Sequence, residues 1–292
     1  MRSSSHKSST KRPDFSGQAE DREHDSGRGS AALFIVGIGP GSLSHMSGAA
    51  VKAIERSQVI CGYFTYLDLI RPLIEDKAVI STGMTKEVDR VRQAVETVRQ
   101  GRACALICSG DPGIYAMAGL VFQICSENGI EVGSGPEGIT VTVVPGIPAL
   151  SAGAALLGAP LMHDFCTVSL SDLLTPWEVI EKRLHAAGSA DFVTVIYNPK
   201  SKKRTWQLDS ARKILLGYRA ADTPVGLVTS AMRENENIDL TTLQDMDTNG
   251  VGMQTTVFIG NSQTFVYGGN MVTPRGYEGK YELDGEKEKP KI

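Results

Sequence analysis

The sequence predicts an α/β fold in two parts: a mainly parallel sheet with helices on both faces, followed by a mixed sheet. Three observations carry that expectation. From Leu33 to Val144 short β-branched runs alternate with helical patterns, as parallel strands joined by crossover helices require. After His163 the alternation breaks, and the last strand-like runs follow one another without a long helix, which points to antiparallel pairing. Of 292 residues, 41% are hydrophobic, enough to build a core for two modest α/β domains.

Taken in order, Leu33–Val36 reads as the first strand, followed by a helix near Ser44–Arg56 and a strand at Gln58–Ile60. A helix near Tyr66–Ile74, a strand at Ala78–Ile80 and a helix near Thr85–Arg99 come next. In that helix Val88, Val91, Val95 and Val98 recur at spacings of three and four, which puts them on one face. Ala103–Ile107 is a strand, Gly119–Glu127 a helix and Thr140–Val144 a strand. The Ala-, Gly- and Leu-rich segment Ile147–Leu157 reads as a closely packed helix that ends the first domain. Strands at Cys166–Leu170 and Phe192–Tyr197 flank a helix near Trp177–Ala186. A helix at Thr205–Leu216 leads to strands at Val225–Val228, Ile238–Thr242, Thr255–Ile259 and Phe265–Tyr267. The expected organisation is a disordered leader over 1–30, an N-terminal α/β domain over 31–160, a C-terminal α/β domain over 161–275 and a polar tail over 276–292. The leader holds eight serines and charges of both signs, with Phe15 almost alone as a large apolar residue. Such a segment cannot offset its ordering entropy.

Charge and cysteine usage exclude several function classes. Thirty basic residues against 33 acidic ones give a net charge of -3, with no electrostatic footprint for nucleic acid. No apolar run reaches the roughly 18–20 residues of a membrane span, and the N-terminus has no apolar targeting core, so a soluble cytoplasmic protein is expected. The five cysteines, Cys61, Cys104, Cys108, Cys125 and Cys166, are odd in number and lack metal-ligand spacing. They read as buried thiols of a reducing compartment, and no metal site is expected.

Chemistry is concentrated where strands end. Val-Gly-Ile-Gly-Pro-Gly-Ser, with Gly37, Gly39, Pro40 and Gly41, follows the first strand and precedes a helix. Glycine there admits positive φ and close backbone approach to a ligand. A dinucleotide-binding fingerprint does not fit: the sixth position is Ser42, Pro40 lies inside the turn, and the second strand runs Val-Ile-Cys-Gly-Tyr without a closing carboxylate. Ser109-Gly110-Asp111-Pro112-Gly113-Ile114-Tyr115 follows the strand ending at Cys108, and Asp111 can brace the loop through an Asx-type bond. An ordinary Asp-Pro-Gly turn is the plain alternative. Val144-Pro145-Gly146-Ile147-Pro148-Ala149 repeats the pattern at a third strand end. Parallel strands project such loops to one sheet edge, where open α/β sheets bind ligands.

These three loops, in this order, resemble those of the tetrapyrrole methyltransferases that use S-adenosylmethionine, over about Leu33 to Thr273. Segments 157–165, 169–177, 197–201 and 258–262 are similar to the branch that methylates carbon 17 of a corrin precursor in cobalamin synthesis. The resemblance implies two α/β domains with the cofactor in the cleft between them, a homodimer and a tetrapyrrole substrate. Carried over by position, it implies cofactor contacts at Pro40, Ser109, Gly110, Asp111, Ile114, Pro148, Ala149, Asn198 and Ala231. Pro148 stands where the family often has Ser or Thr, and Ala231 where it often has Gly, so contacts there fall to the backbone.

Methyl transfer from a sulfonium depends mainly on positioning and desolvation, so the absence of an acid–base triad is no objection. Ring contraction, which the branch couples to methylation, needs proton movement. His163 and Asp172 are the candidate catalytic residues, with Asp164 beside them, in segments peculiar to the branch; ordinary hydrogen-bonded braces are the alternative. Lys200, Lys202, Lys203 and Arg204 are candidate partners for the carboxylates at the macrocycle's edge, or else a solvated helix start. Trp177 and Trp206 read as core residues. A nicotinamide oxidoreductase, another methyltransferase of the same pathway and a non-catalytic tetrapyrrole-binding protein are the competing functions.

Overall fold

A computed structural model describes residues 31–133, 138–281 and 283. The leader expected over 1–30 lies outside the described residues, as does most of the tail; where the tail was expected to begin, Tyr277–Gly279 form a short 3-10 turn.

The first sheet contains β1 (Ala32–Gly37), β2 (Val59–Tyr63), β3 (Ala78–Thr82), β4 (Cys104–Cys108) and β5 (Thr140–Val144), in the order β3-β2-β4-β1-β5. Every pairing in it is parallel. Strand alternation divides its apolar residues between two cores. Leu33 and Ile35 of β1, with Cys61, Cys104 and Leu106, pack on α3 (Glu87–Arg99) and α4 (Ala118–Glu127). Phe34, Val36, Ala105 and Ile107 face α1 (Gly48–Arg56) and α2 (Phe64–Leu69). Burial on both faces explains why these strands read as near-continuous apolar runs.

Helix boundaries differ from the sequence reading for local reasons. Helix α1 starts at Gly48 because the Ser47 hydroxyl accepts the Ala50 amide at 3.1 Å, and Leu43–His45 form a separate 3-10 turn. Helix α2 stops at Leu69, and Arg71–Leu73 continue as a 3-10 turn around Pro72, which has no N–H to sustain an α-helix. In α3, Val91, Val95 and Val98 are buried as expected, but Val88 is exposed and Arg90 is buried in its place.

The second sheet contains β7 (Phe165–Ser169), β8 (Val193–Tyr197), β9 (Pro224–Thr229), β10 (Asn237–Thr242) and β11 (Thr255–Ile259), in the order β10-β9-β11-β8-β7. The β7–β8 pair is parallel and the others antiparallel, so this sheet is mixed as expected. Strand β12 (Phe265–Tyr267) is not part of it. Gly268 and Gly269, both at positive φ, turn the chain so that β12 pairs with β13 (Asn270–Val272), which the sequence reading omitted. A two-residue strand, β6 (Gly158–Ala159), completes that small third sheet. Helices α6 (Trp177–Ser189) and α7 (Gln207–Leu216) cover one face of the second sheet through Ile180, Leu184, Leu208 and Leu215.

The other face is covered by α5 (Ala149–Leu157), the helix expected to end the first domain. Its small residues are the reason: a Cβ on Gly153 would meet the Phe258 ring at 2.6 Å and Val228 at 3.6 Å. Helix α5 thus belongs to a sheet that the chain has yet to form when it leaves the first. All described residues fall within one compact unit. No helix among them is long and apolar enough to cross a membrane.

Four of the five cysteines, Cys61, Cys104, Cys108 and Cys125, are buried as expected, whereas Cys166 near the start of β7 is half-buried. Burial pushes the Cys61 and Cys108 thiols up to about 12.

The α5–sheet contact can be checked by thermal unfolding. Gly153→Val should cost about 1–3 kcal/mol through overpacking against Phe258. Gly119→Ala in α4, where a Cβ meets nothing within 4 Å, should leave the melting temperature unchanged or raise it. Equal effects of the two changes would show that α5 does not press on the second sheet.

Candidate active site

Because β1, β4 and β5 are parallel, the three loops that follow them leave one edge of the first sheet together. They meet backbone to backbone. A Cβ on Gly37 would lie 2.6 Å from the Gly110 carbonyl oxygen and 2.7 Å from the Gly146 nitrogen; one on Gly146 would also collide with Gly110 and Gly37. Gly39 and Gly110 exchange hydrogen bonds: the Gly110 amide donates to the Gly39 carbonyl at 2.7 Å, and the Gly39 amide donates back at 3.2 Å. Gly110 has φ +67°, a conformation suited to glycine.

Asp111 ties the second loop to the third. Its Oδ1 accepts the Gly113 amide at 2.8 Å, the expected Asx-type bond, and its Oδ2 accepts the Gly146 amide at 3.1 Å. Both carboxylate oxygens are therefore committed to backbone donors, the stronger charge-assisted kind of hydrogen bond. A Cβ on Gly110 would come within 3.7 Å of the Pro148 Cα and 3.8 Å of the Ala149 nitrogen, so the start of α5 borders the same place.

Three contacts carry the second sheet to this edge. The Tyr115 hydroxyl donates to the Thr167 carbonyl of β7 at 3.1 Å, and its ring lies 5.1 Å from that of Tyr197. The Leu150 amide, in the first turn of α5, donates to the Tyr197 hydroxyl at 2.9 Å. Burial pushes the Tyr197 phenol up to about 12, which keeps it neutral in this role. Arg233, in the β9–β10 connection, donates from Nε to the Pro40 carbonyl and from Nη2 to the Ser109 hydroxyl, the latter at 3.1 Å. Backbone strain accumulates on these segments. Tyr115, Asn198, Ser230 and Met232 are four of six described non-glycine residues at positive φ, a conformation costing about 1–3 kcal/mol each.

The nine residues expected to contact a cofactor fall along this network. Pro40 and Ser109 accept from Arg233, Gly110 and Asp111 join the loops, and the Ile114 amide donates to the Asp111 carbonyl at 3.4 Å. Pro148 caps α5 and Ala149 is its first residue. On the second-sheet side, Asn198 Nδ2 donates to the Ser169 hydroxyl at 3.0 Å, and Ala231 sits between the strained Ser230 and Met232.

The two expected catalytic residues are separated. Asp172 follows the C-terminal end of β7, where its Oδ2 accepts a 2.7 Å bond from the buried Gln207 amide. His163 precedes the N-terminal end of β7, a strand of roughly 13 Å at about 3.3 Å per residue. It lies at the opposite sheet edge, lining a small pocket with Asp164, Asp191, Asn261 and Gln263, and its Nδ1 accepts the Asp164 amide at 2.8 Å. The strand direction, invisible in the motif, sets them apart.

The cation run also divides. Lys200 Nζ donates to the Thr248 carbonyl at 2.9 Å, Lys202 and Lys203 are exposed, and Arg204 Nη2 donates to the Asn198 carbonyl at 2.9 Å. Burial lowers the Arg204 pKa, opposed by Asp172. Trp177 is half-buried against the second core, but Trp206, read as core, is 48% exposed with its ring 4.7 Å from Trp177. Sequence reasoning missed Tyr197, Thr167 and Arg233. The first lies inside segment 197–201, where only its tertiary reach to α5 marks it out; nothing in the charge pattern marks Arg233.

Comparison with known proteins places these features. A family model described as tetrapyrrole (corrin/porphyrin) methylases matches residues 32–247. A cobalt-factor III methyltransferase of Priestia megaterium is 52% identical over 252 residues, covering 86% of this chain and 46% of that protein, so the chain spans about half the length of that relative. A probable cobalt-factor III C(17)-methyltransferase of Salmonella typhimurium is 49% identical over 245 residues, covering 84% of this chain and 99% of that one. The crystal structure of the methyltransferase CobJ superposes with a TM-score of 0.78 at 33% identity, covering 84% of this chain and all of that one.

The role of Asp111 is open to direct measurement. Asp111→Ala removes the acceptor of two amides and should lower stability by about 1–3 kcal/mol. Amide exchange at Gly113 and Gly146 should accelerate while exchange in β4 stays protected. Unchanged exchange at both amides would refute the brace.

Proposed function

The chain belongs to the tetrapyrrole (corrin/porphyrin) methylase family, and from that premise we propose that it is an S-adenosylmethionine-dependent C-methyltransferase. Its substrate in this reading is a corrin precursor, precorrin-3B or cobalt-factor III, methylated at carbon 17 with ring contraction in cobalamin biosynthesis. The single observation that carries the proposal is the convergence of the three glycine loops at one place to which Tyr197 and Arg233, neighbours in sequence of Asn198 and Ala231, reach from the second sheet. The name of the Priestia megaterium relative supports the substrate, and that of the Salmonella typhimurium relative supports both the substrate and the position of methylation. A cytoplasmic homodimer belongs to the same proposal.

The residues fit the cofactor. The meeting point is bordered by glycine, proline and alanine backbone, with the Asp111 carboxylate turned inward onto amides rather than left to compete for a ligand. Strand β2 ends at Tyr63 with no carboxylate, which disfavours a dinucleotide. Pro40, Ser109, Gly110, Asp111, Ile114, Pro148, Ala149, Asn198 and Ala231 would hold the cofactor, and its sulfonium supplies a methyl group already activated for transfer. The chain's own contribution is placement: Asp111 fixes the second loop against the third, and Tyr115, Tyr197 and Arg233 fix both against the second sheet. Asp172, at the same edge, is the proposed proton acceptor for ring contraction. His163 is reassigned as a brace at the far edge.

A non-catalytic tetrapyrrole carrier is the competing reading, and calorimetric titration with S-adenosylhomocysteine separates the two. Saturable heat is expected, with Asp111→Ala weakening affinity about tenfold or more. In anaerobic assays with each macrocycle, the wild type should form a product one methylene heavier with the absorption spectrum of a contracted ring. His163→Ala should behave like the wild type, and Asp172→Asn should still methylate but leave the ring uncontracted. Absence of both S-adenosylhomocysteine binding and methylation would sink the proposal; loss of contraction in His163→Ala would restore that residue.

A further inference from the structure

Arg233 is the one charged side chain that reaches across the cleft to the loops of the first sheet in the hydrogen bonds described above, and among the described residues it enters none of the ion pairs that follow. The ion pairs among the described residues involve Asp68, Asp89, Glu96, Asp164 and Asp191, none of them with Arg233. Of the carboxylates close by, Asp111 has both oxygens on backbone amides, and Glu236, whose amide donates to the Arg233 carbonyl at 3.1 Å, has its Oε2 on the Met232 amide at 2.6 Å. The recorded partners of Arg233, the Pro40 carbonyl and the Ser109 hydroxyl, are neutral and use two of the five N–H donors of a guanidinium.

Space for this group is built into the first loop. A Cβ on Gly41 would lie 2.6 Å from Arg233 Nε and 3.3 Å from its Cδ, so the third glycine of Gly-Ile-Gly-Pro-Gly keeps the guanidinium's berth open. The turn that presents it is strained on both sides of Ala231, with Ser230 at φ 52° and Met232 at φ 60°, and is pinned where the Arg233 amide donates to the Ser230 carbonyl at 3.0 Å. The groups facing it are Tyr66 and the first-sheet loops. Burial lowers its pKa and Tyr66 partly restores it, yet a guanidinium remains charged at any physiological pH. A half-buried cation with unused donors, held by neutral groups beside a proposed sulfonium site, calls for an anion. A planar fork of donors matches a carboxylate.

We propose that Arg233 is a carboxylate-binding residue of the cleft, and that the carboxylate it takes belongs to the edge of the macrocyclic substrate. The assignment rests on the methyltransferase reading above. It gives the substrate's rim a fixed point on the second-sheet side while the cofactor loops stay in register with it through Pro40 and Ser109.

The test uses the full chain with three probes: uroporphyrin, a porphyrin with eight carboxylates, for the macrocycle; S-adenosylhomocysteine, which carries an amino-acid carboxylate; and methylthioadenosine, which lacks one. Arg233→Gln should weaken uroporphyrin binding about tenfold or more, as expected for loss of a charge-assisted pair, and weaken S-adenosylhomocysteine binding by a clearly smaller factor, that of losing the neutral contacts to Pro40 and Ser109. Arg233→Lys, which keeps the charge but not the fork, should recover part of the loss and guards against misfolding of the first variant. Weakened S-adenosylhomocysteine with unchanged methylthioadenosine and uroporphyrin would overturn the proposal and assign Arg233 to the cofactor's carboxylate. Unchanged affinity for all three would reduce Arg233 to a brace and overturn it as well. So would a wild type that binds S-adenosylhomocysteine but not uroporphyrin, whereas a wild type that binds none of the probes defeats the methyltransferase reading itself.

Discussion

The structure depends on one close approach. Gly37, Gly110 and Gly146 meet where no side chain fits, so the loops after β1, β4 and β5 pack through bare backbone. Backbone in such contact needs its polar groups satisfied by its neighbours, and the Gly39–Gly110 pair and the Asp111 carboxylate provide that. The strand order places β1 between β4 and β5, which is what brings these three loops side by side.

From that junction the rest of the site is set by reach. Tyr115 extends to β7, Tyr197 to the first turn of α5 and Arg233 to Pro40 and Ser109. Each contact joins a residue from one sheet's edge to backbone or hydroxyl on the other, and each starts from or adjoins a strained segment. Strain of this kind persists only where the surroundings over-determine it. It is concentrated here rather than in the strands, whose apolar alternation is relaxed and regular.

The sequence made some of this legible and hid the rest for identifiable reasons. Glycine and proline at strand ends announce special backbone, so the loops at Gly37, Gly110 and Gly146 could be found and their meeting inferred from parallel strands. Asp111 could be assigned because an Asx bond is local. His163 could not be placed, because a motif does not say at which end of a strand it lies. Helix α5 could be read as the close-packed end of the first domain, but an Ala- and Gly-rich helix carries no mark of which sheet its small residues accommodate; the Phe258 ring against Gly153 shows that it is the second. Arg233 left no trace, because its partner positions are nearly 200 residues upstream for Pro40 and its own surroundings are polar. Local chemistry was readable; pairings that depend on tertiary reach were not.

The position of α5 also has a consequence in time. The helix is complete at Leu157, but the strands it covers, β9 and β11, end at Thr229 and Ile259. At synthesis rates of about 5–20 residues per second, the nascent helix waits on the order of five to twenty seconds for its seat. A helix of leucine and phenylalanine left bare that long would invite association with neighbouring chains. One made of Ala, Ser, Gly and a few Leu exposes little apolar surface while it waits, so the small residues that let it press on Phe258 also suit it to the ribosome.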